Sequence, residues 1–404
     1  MGLMDVYNML PAFAQNIAFS AAGAKIQRTR YGVGFHKMLA EFESHANWSK
    51  DQLVSWRDER LRDLVQHAYN TVPYYRETMD EGGINPMSIR SGEDLARFPL
   101  LTKDMVKVNP EKFISSEIGK MNVLHVHTSG TTGSGFQFDS TLECQQAQFA
   151  CFWRYYHQHG LTQDTWQAQF SSRNAVPKRT SKPPFWRIDK PGRRYYMSAF
   201  HESSANLKSY YDIIMEKRFR WISGYPSLMS LLAQWMNERD LCFDFVEAVT
   251  CGAENLLDYQ ADAMERAFGV RPVQTYGQTE NVAIFSQQPD GRILVDEDFS
   301  VVEFISNNSG GVLRLLERAY STMRHLSYDI VQRISRRLRI GRVPAGRFSL
   351  WTEGAKITST CPMGRKLASS TKCSRTPLTF RRHRFIRRPT TRLYFESWES
   401  RTCA

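Results

Sequence analysis

From Asp51 to Tyr75 the chain reads "DQLVSWRDERLRDLVQHAYNTVPYY", with apolar positions recurring every three or four residues. That spacing predicts an amphipathic helix stopping at Val72-Pro73, because a residue before proline is turned away from helical dihedrals. "FPLLTKDMVKVNPEKF" predicts a polar turn into a short helix, and "VLHVH" at 123–127 a short strand. Thr141 to His159 predicts a helix rich in glutamine and aromatic residues. Beyond it the two periods alternate. "RFRWISG" (218–224), "FVEAVTC" (245–251) and "PVQTYG" (272–277) predict strands, while "LMSLLAQWMNERD" (228–240) and "ADAMERAFG" (261–269) predict helices. Strands alternating with helices argue an α/β fold with parallel pairing. Residues 169–194, rich in Pro and Lys, predict a long surface insertion, and no internal repeat is visible.

Composition narrows the class. A chain of 404 residues, 42% hydrophobic and 12% aromatic, fits a folded soluble protein of two or three units, or one large domain with an appendage. No apolar run approaches the roughly 18 residues that span a membrane. The opening "MGLMDVYNMLPAF" carries Asp5 and no basic leader, unlike a secretory signal, and lacks the Ser or Thr of a myristoylation motif. Seven cysteines at scattered spacings form no disulfide framework, so a reducing, cytoplasmic location is expected.

The net charge of +12 is unevenly distributed. Residues 311–404 hold 21 Lys or Arg against 5 Asp or Glu, leaving 32 against 36 in the first 310. The body is mildly acidic, and a nucleic-acid reading of the charge would describe the last segment alone.

The candidate chemistry begins with "HVHTSGTTGSGFQFDST" (125–141). The glycines let backbone N–H groups turn inward as an anion nest, and Thr128, Ser129, Thr131 and Thr132 add hydroxyl donors. No lysine follows Gly133, which disfavours the GxxxxGK[ST] nucleotide loop. Alone, the stretch reads equally as a polyphosphate cradle or a flexible surface loop. Three further polar turns follow strands: "GYPS" (224–227), "CGAENL" (251–256) and "YGQTEN" (276–281). Such turns are where α/β sheets gather ligand groups.

Together with "RLRDLVQHAYNTVPYYRE" and "FPLLTKDMV", these motifs stand in the order of the adenylate-forming superfamily. The sequence resembles its phenylacetate–CoA ligase family, in the branch found with capsular polysaccharide synthesis, over roughly residues 10–310. The resemblance implies a large N-terminal domain of β-sheets flanked by helices. It implies that Ser129, Gly130, Thr131, Thr132 and Gly133 hold the ATP β- and γ-phosphates. Gly252, Ala253 and Glu254 then form the turn against the adenine, and Tyr276 and Gly277 lie where nucleotide and acyl carboxylate meet. Thr279 contacts phosphate and Glu280 holds Mg²⁺, although a Thr-Glu pair after a strand also fits a helix cap.

Other candidates are open both ways. His125 and His127 face one side of a strand and read as acyl-pocket lining or as packing. Phe136, Phe138 and Tyr225 fit an aromatic acyl site; Trp221 reads better as core. Cys144 and Cys151 read as packed rather than metal-bound, and Cys251 lacks an identifiable base.

Past Gly310-Gly311 the alternating pattern stops. As written, residues 311–404 contain neither the "RYRTGD"-like turn nor the Cys-Pro-Cys-Gly turn of the family, and its small C-terminal domain is missing or scrambled. Back-translated with permitted codons and read from the third base, "YDIVQRI" (328–334) becomes R-Y-R-S-A-D. In the same frame "RVPAG" (342–346) becomes C-P-C-G, and "AKITSTCPMG" (355–364) becomes E-D-H-F-Y-V-P-D-G. Two units are therefore expected: an adenylating domain over 1–310 and an out-of-frame, poorly ordered basic tail over 311–404. The expected function is ATP-dependent activation of a carboxylic acid and transfer to CoA, with ATP, Mg²⁺ and CoA as cofactors. An amine or sugar acceptor, a catalytically impaired remnant, and nucleic-acid binding through "RRHRFIRR" (381–388) are the alternatives. No nucleic acid and no transmembrane segment are expected.

Overall fold

The computed structural model describes residues 2–120, 122–127 and 137–306, with strand segments at 313–319, 334–335, 339–342 and 348–351. Three helices open the chain: α1 (Leu3–Met9), α2 (Ala12–Arg30) and α3 (Val33–Ser44). α4 (Lys50–Thr71) starts at a capping box. Ser49 Oγ accepts from the Gln52 N–H at 3.2 Å, and Gln52 Oε1 accepts from the Ser49 N–H at 2.8 Å. It stops at Val72, and Pro73, with no N–H to satisfy, opens α5 (Pro73–Glu81). The helix thus stops at Val72-Pro73, as its sequence predicts, and a second helix starts at the proline. α6 (Lys103–Val108) is the short helix expected after the polar turn.

β1 (Val123–His127) and β2 (Gln137–Thr141) pair antiparallel as a two-stranded ladder apart from the main sheet. α7 (Leu142–Gln158) follows at once, its first turn capped by Thr141 Oγ1, which accepts from the Cys144 N–H at 3.2 Å.

The main sheet is assembled from β3 (Gln167–Ser171), β4 (Trp186–Asp189) and β5 (Arg194–Ser198), then, after α8 (Leu207–Lys217), from β6 (Trp221–Gly224). α9 (Pro226–Asn237) leads to β7 (Ala248–Cys251), and α10 (Asp258–Phe268) to β8 (Val273–Gly277), β9 (Ile284–Gln287) and β10 (Ile293–Val295). The strand order is β10-β9-β8-β7-β6-β3-β5-β4. The five strands from β8 to β5 run parallel, and the outer pairs are antiparallel. This is the expected α/β architecture.

Period-two alternation sends the sheet's side chains to two cores. Ile222 and Val249, level in the β6–β7 register, pack with α8, α9 and α10. Trp221 and Ala248, one step away, pack on α3 and α7 with Phe35, Trp153 and Phe299. Each fully buried Leu, Met or Phe in these clusters contributes about 1.5–3 kcal/mol. A third cluster joins α4 and α5 to Val301.

The expected surface insertion over 169–194 is corrected by the structure. Its ends are β3 and the antiparallel pair β4–β5, and only 172–185 is an excursion. The strands are hidden in the sequence because they bury polar side chains with partners. Ser223 Oγ donates to the buried Gln167 at 2.7 Å, Arg187 Nε donates to Gln15 Oε1 at 2.6 Å, and Asp189 accepts from the Gly192 N–H at 3.0 Å.

β11 (Ser300–Ser306) pairs antiparallel with β12 (Leu313–Ala319), β12 with β13 (Ile334–Ser335), and β14 (Arg339–Arg342) with β15 (Phe348–Trp351). The expected out-of-frame tail falls mostly outside the described residues; those described there form β12 to β15. Among the described residues no helix is long and apolar enough to cross a membrane.

Candidate active site

Three turns stand side by side at the carboxyl ends of adjacent parallel strands. Gly224 is level with Cys251 in the β6–β7 register, and Cys251 with Gln274 in β7–β8. The turns at 224–227, 252–254 and 277–280 therefore leave one edge of the sheet.

At the first, Gly224 adopts φ 140°, and a methyl group there would lie 1.9 Å from the Phe170 carbonyl oxygen. Only glycine lets β6 approach β3 so closely. Tyr225 then donates its N–H to Phe170 O at 3.1 Å, and its hydroxyl meets Ser172 Oγ at 3.1 Å. It is also the N-cap residue of α9, with Pro226 in the first helical position.

At the second turn the Gly252 N–H donates to Gly224 O at 3.2 Å, and Ala253 takes a left-handed φ of 70°. A methyl group on Gly252 would make only ordinary contact, with Thr275 O at 3.8 Å, so the turn has room there. Glu254 Oε2 accepts from the Ser227 N–H at 3.0 Å, binding this turn to the start of α9.

At the third, β8 runs past β7 and pairs with β9, Tyr276 opposite Phe285 and Gly277 opposite Ile284. The Tyr276 and Phe285 rings lie 5.0 Å apart, and the Tyr276 hydroxyl accepts from Gln278 Nε2 at 2.5 Å. A methyl group on Gly277 would sit 2.6 Å from the Phe152 ring. The chain then turns, the Asn281 N–H donating to Gln278 O at 3.2 Å with Asn281 at φ 57°. Thr279 is exposed and Glu280 half-buried in this turn. The next element is β9, so the pair caps no helix.

Two side chains hold that turn from the β1–β2 and α7 side. Gln148 Nε2 on α7 donates to Gln278 O at 2.6 Å, and Asn281 Nδ2 donates to Ser140 Oγ on β2 at 3.4 Å. Ser129, Gly130, Thr131, Thr132, Gly133 and Phe136 lie outside the described residues. Their stem is described: His127 pairs with Gln137 at its open end. The strand leading out of the Ser/Thr/Gly loop is thus joined to the turn carrying Thr279 and Glu280.

Gln148 and Ser140 are positioning residues that motif reading misses, and it gives Gln278 and Asn281, inside the third motif, no role. The available signal is the glutamine-rich start of α7, where buried Gln146 and Gln148 need partners.

Behind the turn lies an ionic cluster. Arg154 Nη2 donates to Asp296 Oδ1 at 2.8 Å and Asp298 Oδ1 at 3.0 Å, and His45 Nδ1 lies 2.8 Å from Asp298 Oδ2. Burial pushes Asp296 up to about 6. Burial acts the same way on Asp298, but Arg154 and His45 outweigh it and hold that carboxyl below its ordinary value. Ser286 Oγ donates to Asp296 Oδ2 at 2.6 Å, so the cluster anchors β9, the partner of the Tyr276–Gly277 strand end.

The remaining candidates separate. His125 is exposed, with Nδ1 2.5 Å from Asp139 across the ladder; the His127 side chain lies outside the described residues. Phe138 is core, packed with Leu101, Val106 and Phe113, and so leaves the acyl-site set. Trp221 is core, its Nε1 donating to Thr250 Oγ1 at 2.8 Å. Cys144, Cys151 and Cys251 are buried free thiols; burial pushes Cys144 up to about 12 and raises the other two as well. A thiol held protonated is no nucleophile. Among the described residues no group of three or more His, Cys, Asp or Glu gathers to hold a metal. A 400 Å³ cavity lies at the opposite, amino-terminal edge of the sheet, lined by Trp166, Tyr195, Lys217, Arg218 and Arg220 among others. Its cations are paired with Glu216, Asp244 and Glu247, and it contains none of the motif residues.

No family model matches the chain. Protein CapK of Staphylococcus aureus is 22% identical over 299 residues, 74% of this chain and 65% of CapK. Phenylacetate-coenzyme A ligase of Aromatoleum evansii is 40% identical over 96 residues, 24% of this chain and 22% of the ligase. The match thus spans less than two thirds of CapK and about a fifth of the ligase. Among solved structures, an open conformation of 2-hydroxyisobutyryl-CoA ligase, in complex with 2-HIB-AMP and CoA, aligns with TM-score 0.53 at 16% identity. It covers 74% of this chain and 72% of that one, and at this identity the likeness is one of fold.

Proposed function

We propose that this chain, which belongs to the adenylate-forming superfamily with CapK and the phenylacetate–coenzyme A ligases, activates a carboxylic acid with ATP and passes the acyl group to CoA. In the first half-reaction a carboxylate oxygen attacks the ATP α-phosphorus, the bond to the bridging oxygen breaks, and pyrophosphate leaves. In the second the CoA sulfur attacks the acyl carbon, its proton passes to solvent, and AMP leaves.

The observation that carries this reading is the tie between the loop stem and the turn of Glu280, through Ser140–Asn281 and Gln148–Gln278. The phosphates are assigned to residues 129–133, whose stem strand is tied to the turn of Thr279 and Glu280. Gly252, Ala253 and Glu254 offer the open face for the adenine, and Gly252 keeps it clear. Tyr276 and Gly277 are assigned to the reacting carboxylate, and Tyr225, His127 and Phe136 to the acyl group. Glu280 is a single carboxylate, which suits Mg²⁺ because that ion takes one or two protein carboxylates and completes its shell with phosphate oxygens and water. When bound, Mg²⁺ neutralises charge on the leaving pyrophosphate.

A second reading, from the resemblance of the motifs to the capsular-polysaccharide branch, has an amine or sugar as the acceptor rather than CoA. We also propose that the adenylating domain spans 1–310 and that residues from about 311 are read out of frame, so that turnover of this chain is low. The shifted-frame motifs and the change of charge support that boundary.

A screen of carboxylic acids by ATP-dependent pyrophosphate release tests the activity, with CoA, amines and sugars as acceptors. It is run on this chain and on the chain with the shifted frame restored after Gly311. Acyl-adenylate formation on restoration supports the reading. Pyrophosphate release from neither protein, with any acid, overturns it.

A further inference from the structure

Half of the exposed large apolar side chains among the described residues gather in one region. α2 turns one side to the main sheet: Ser20 Oγ donates to Ile188 O, the Ile188 N–H donates to Asn16 Oδ1, and Gly23 sits where a methyl group would strike Asp189. Its other side leaves Phe13 69% and Ile17 67% exposed, with Ala18, Ala21 and Ala22 beside them. The preceding turn and α1 add Met4, Val6, Met9 and Leu10, all exposed. α1 is docked rather than loose: Tyr7 OH donates to Ala175 O at 2.6 Å, and Arg179 Nη2 donates to Asn8 O at 2.9 Å.

Those bonds bring a basic strip beside the apolar face. The excursion between β3 and β4 exposes Lys178, Arg179 and Lys182, and Lys178 Nζ lies 4.5 Å above the ring of Phe200, itself 45% exposed. Residues 172–188 contain no Asp or Glu, and the first 30 residues contain only Asp5. Lys25 and Arg28 continue the positive charge along α2.

We propose that this face docks on an anionic phospholipid bilayer, with Met9, Phe13 and Ile17 entering the headgroup–acyl boundary and Lys178, Arg179 and Lys182 meeting lipid phosphates. Apolar side chains flanked by cations on a helix lying along the surface are the chemistry of an interfacial helix. Charge complementarity favours the bilayer over a second copy, since a twofold contact through this face would set the two basic strips against each other. The excursion leaves the sheet at Ser172, whose hydroxyl meets Tyr225. Docking would therefore hold the mouth of the candidate active site close to the lipid surface.

The full chain is sedimented with vesicles of phosphatidylcholine alone and of phosphatidylcholine with phosphatidylglycerol. The parent is expected to bind the anionic vesicles, and Phe13→Asp with Ile17→Asp to lose about tenfold or more in affinity with unchanged helix content. Lys178→Glu with Lys182→Glu is expected to abolish the preference for anionic over neutral lipid. Emission of a Phe13→Trp variant should shift to the blue on adding the anionic vesicles. Binding that survives both double substitutions would come from elsewhere in the chain, including the basic stretch after Gly311, and would overturn the proposal. So would no binding by the parent, or a dimer in solution that the Phe13 and Ile17 substitutions dissociate.

Discussion

The Glu254 carboxylate accepts the Ser227 backbone N–H at 3.0 Å, so a side chain after β7 caps the helix that follows β6. The N-cap residue Tyr225 supplies no side-chain acceptor of its own. An acceptor with negative charge at a helix start satisfies an orphan donor and complements the helix dipole. Glu254→Ala should cost about 1–2 kcal/mol in urea denaturation. Glu254→Gln, which keeps an acceptor and loses the charge, should cost less; equal losses would mean the carboxylate does not cap α9.

Gly224 and Gly252 should respond to alanine in opposite ways. At Gly224 the new methyl group meets backbone at 1.9 Å with φ at 140°, so Gly224→Ala should lose about 3 kcal/mol or more. At Gly252 the methyl group has room, so stability should change by less than about 0.5 kcal/mol. The same methyl group projects into the open face of the turn, and ATP affinity should fall. Denaturation and nucleotide titration on both variants check the contrast.

Glu280→Gln should cost far less in folding than in activity, because no helix begins at 279 for it to cap. In the frame-restored protein, Mg²⁺-dependent pyrophosphate release should drop by about a hundredfold. Matching losses of thermal stability and activity would assign Glu280 a structural role instead.

The Arg154 cluster should give a pH signature of stated sign. Asp296 has its folded pKa raised from 3.8 to about 6, so its favourable contribution is full below 3.8 and is lost as pH rises through about 6. Asp298, held below 3.8, contributes above that value and loses its contribution as pH falls. Relative to the parent, Asp296→Asn should therefore gain about 2 kcal/mol between about pH 4 and about pH 7. Asp298→Asn leaves Arg154 short of its main buried partner and should cost about 3–5 kcal/mol at about pH 7. Chemical denaturation of both variants at the two pH values measures this.

The helices and strands from 218 to 277 were legible because their apolar residues keep a clean period, as in Trp221–Ile222 alternating between two cores and in α10. The boundary at Arg218 was not: it ends α8 in a left-handed conformation at φ 47°, and β6 starts only at Trp221. β3, β4 and β5 were illegible because Gln167 and Arg187 are buried by partners distant in sequence, Ser223 and Gln15, which no local period encodes. The three turns of the site were visible as motifs. The side chains holding them together were not, since Ser140–Asn281 and Gln148–Gln278 span more than a hundred positions and become neighbours only when α7 packs.

The strand order also dictates a schedule. β3 lies between β5 and β6, so its two edges are satisfied only after the chain has been made as far as Gly224. The α2 helix, near the start, waits for Ile188 before it has a surface to rest on. Such delayed pairings slow folding, because distant segments must meet before either gains. Yet all eight strands of the main sheet lie between Gln167 and Val295. A ribosome that moved to another frame beyond Gly311 would already have delivered every strand of that sheet, which is how a body with an intact α/β core can be followed by text of another kind.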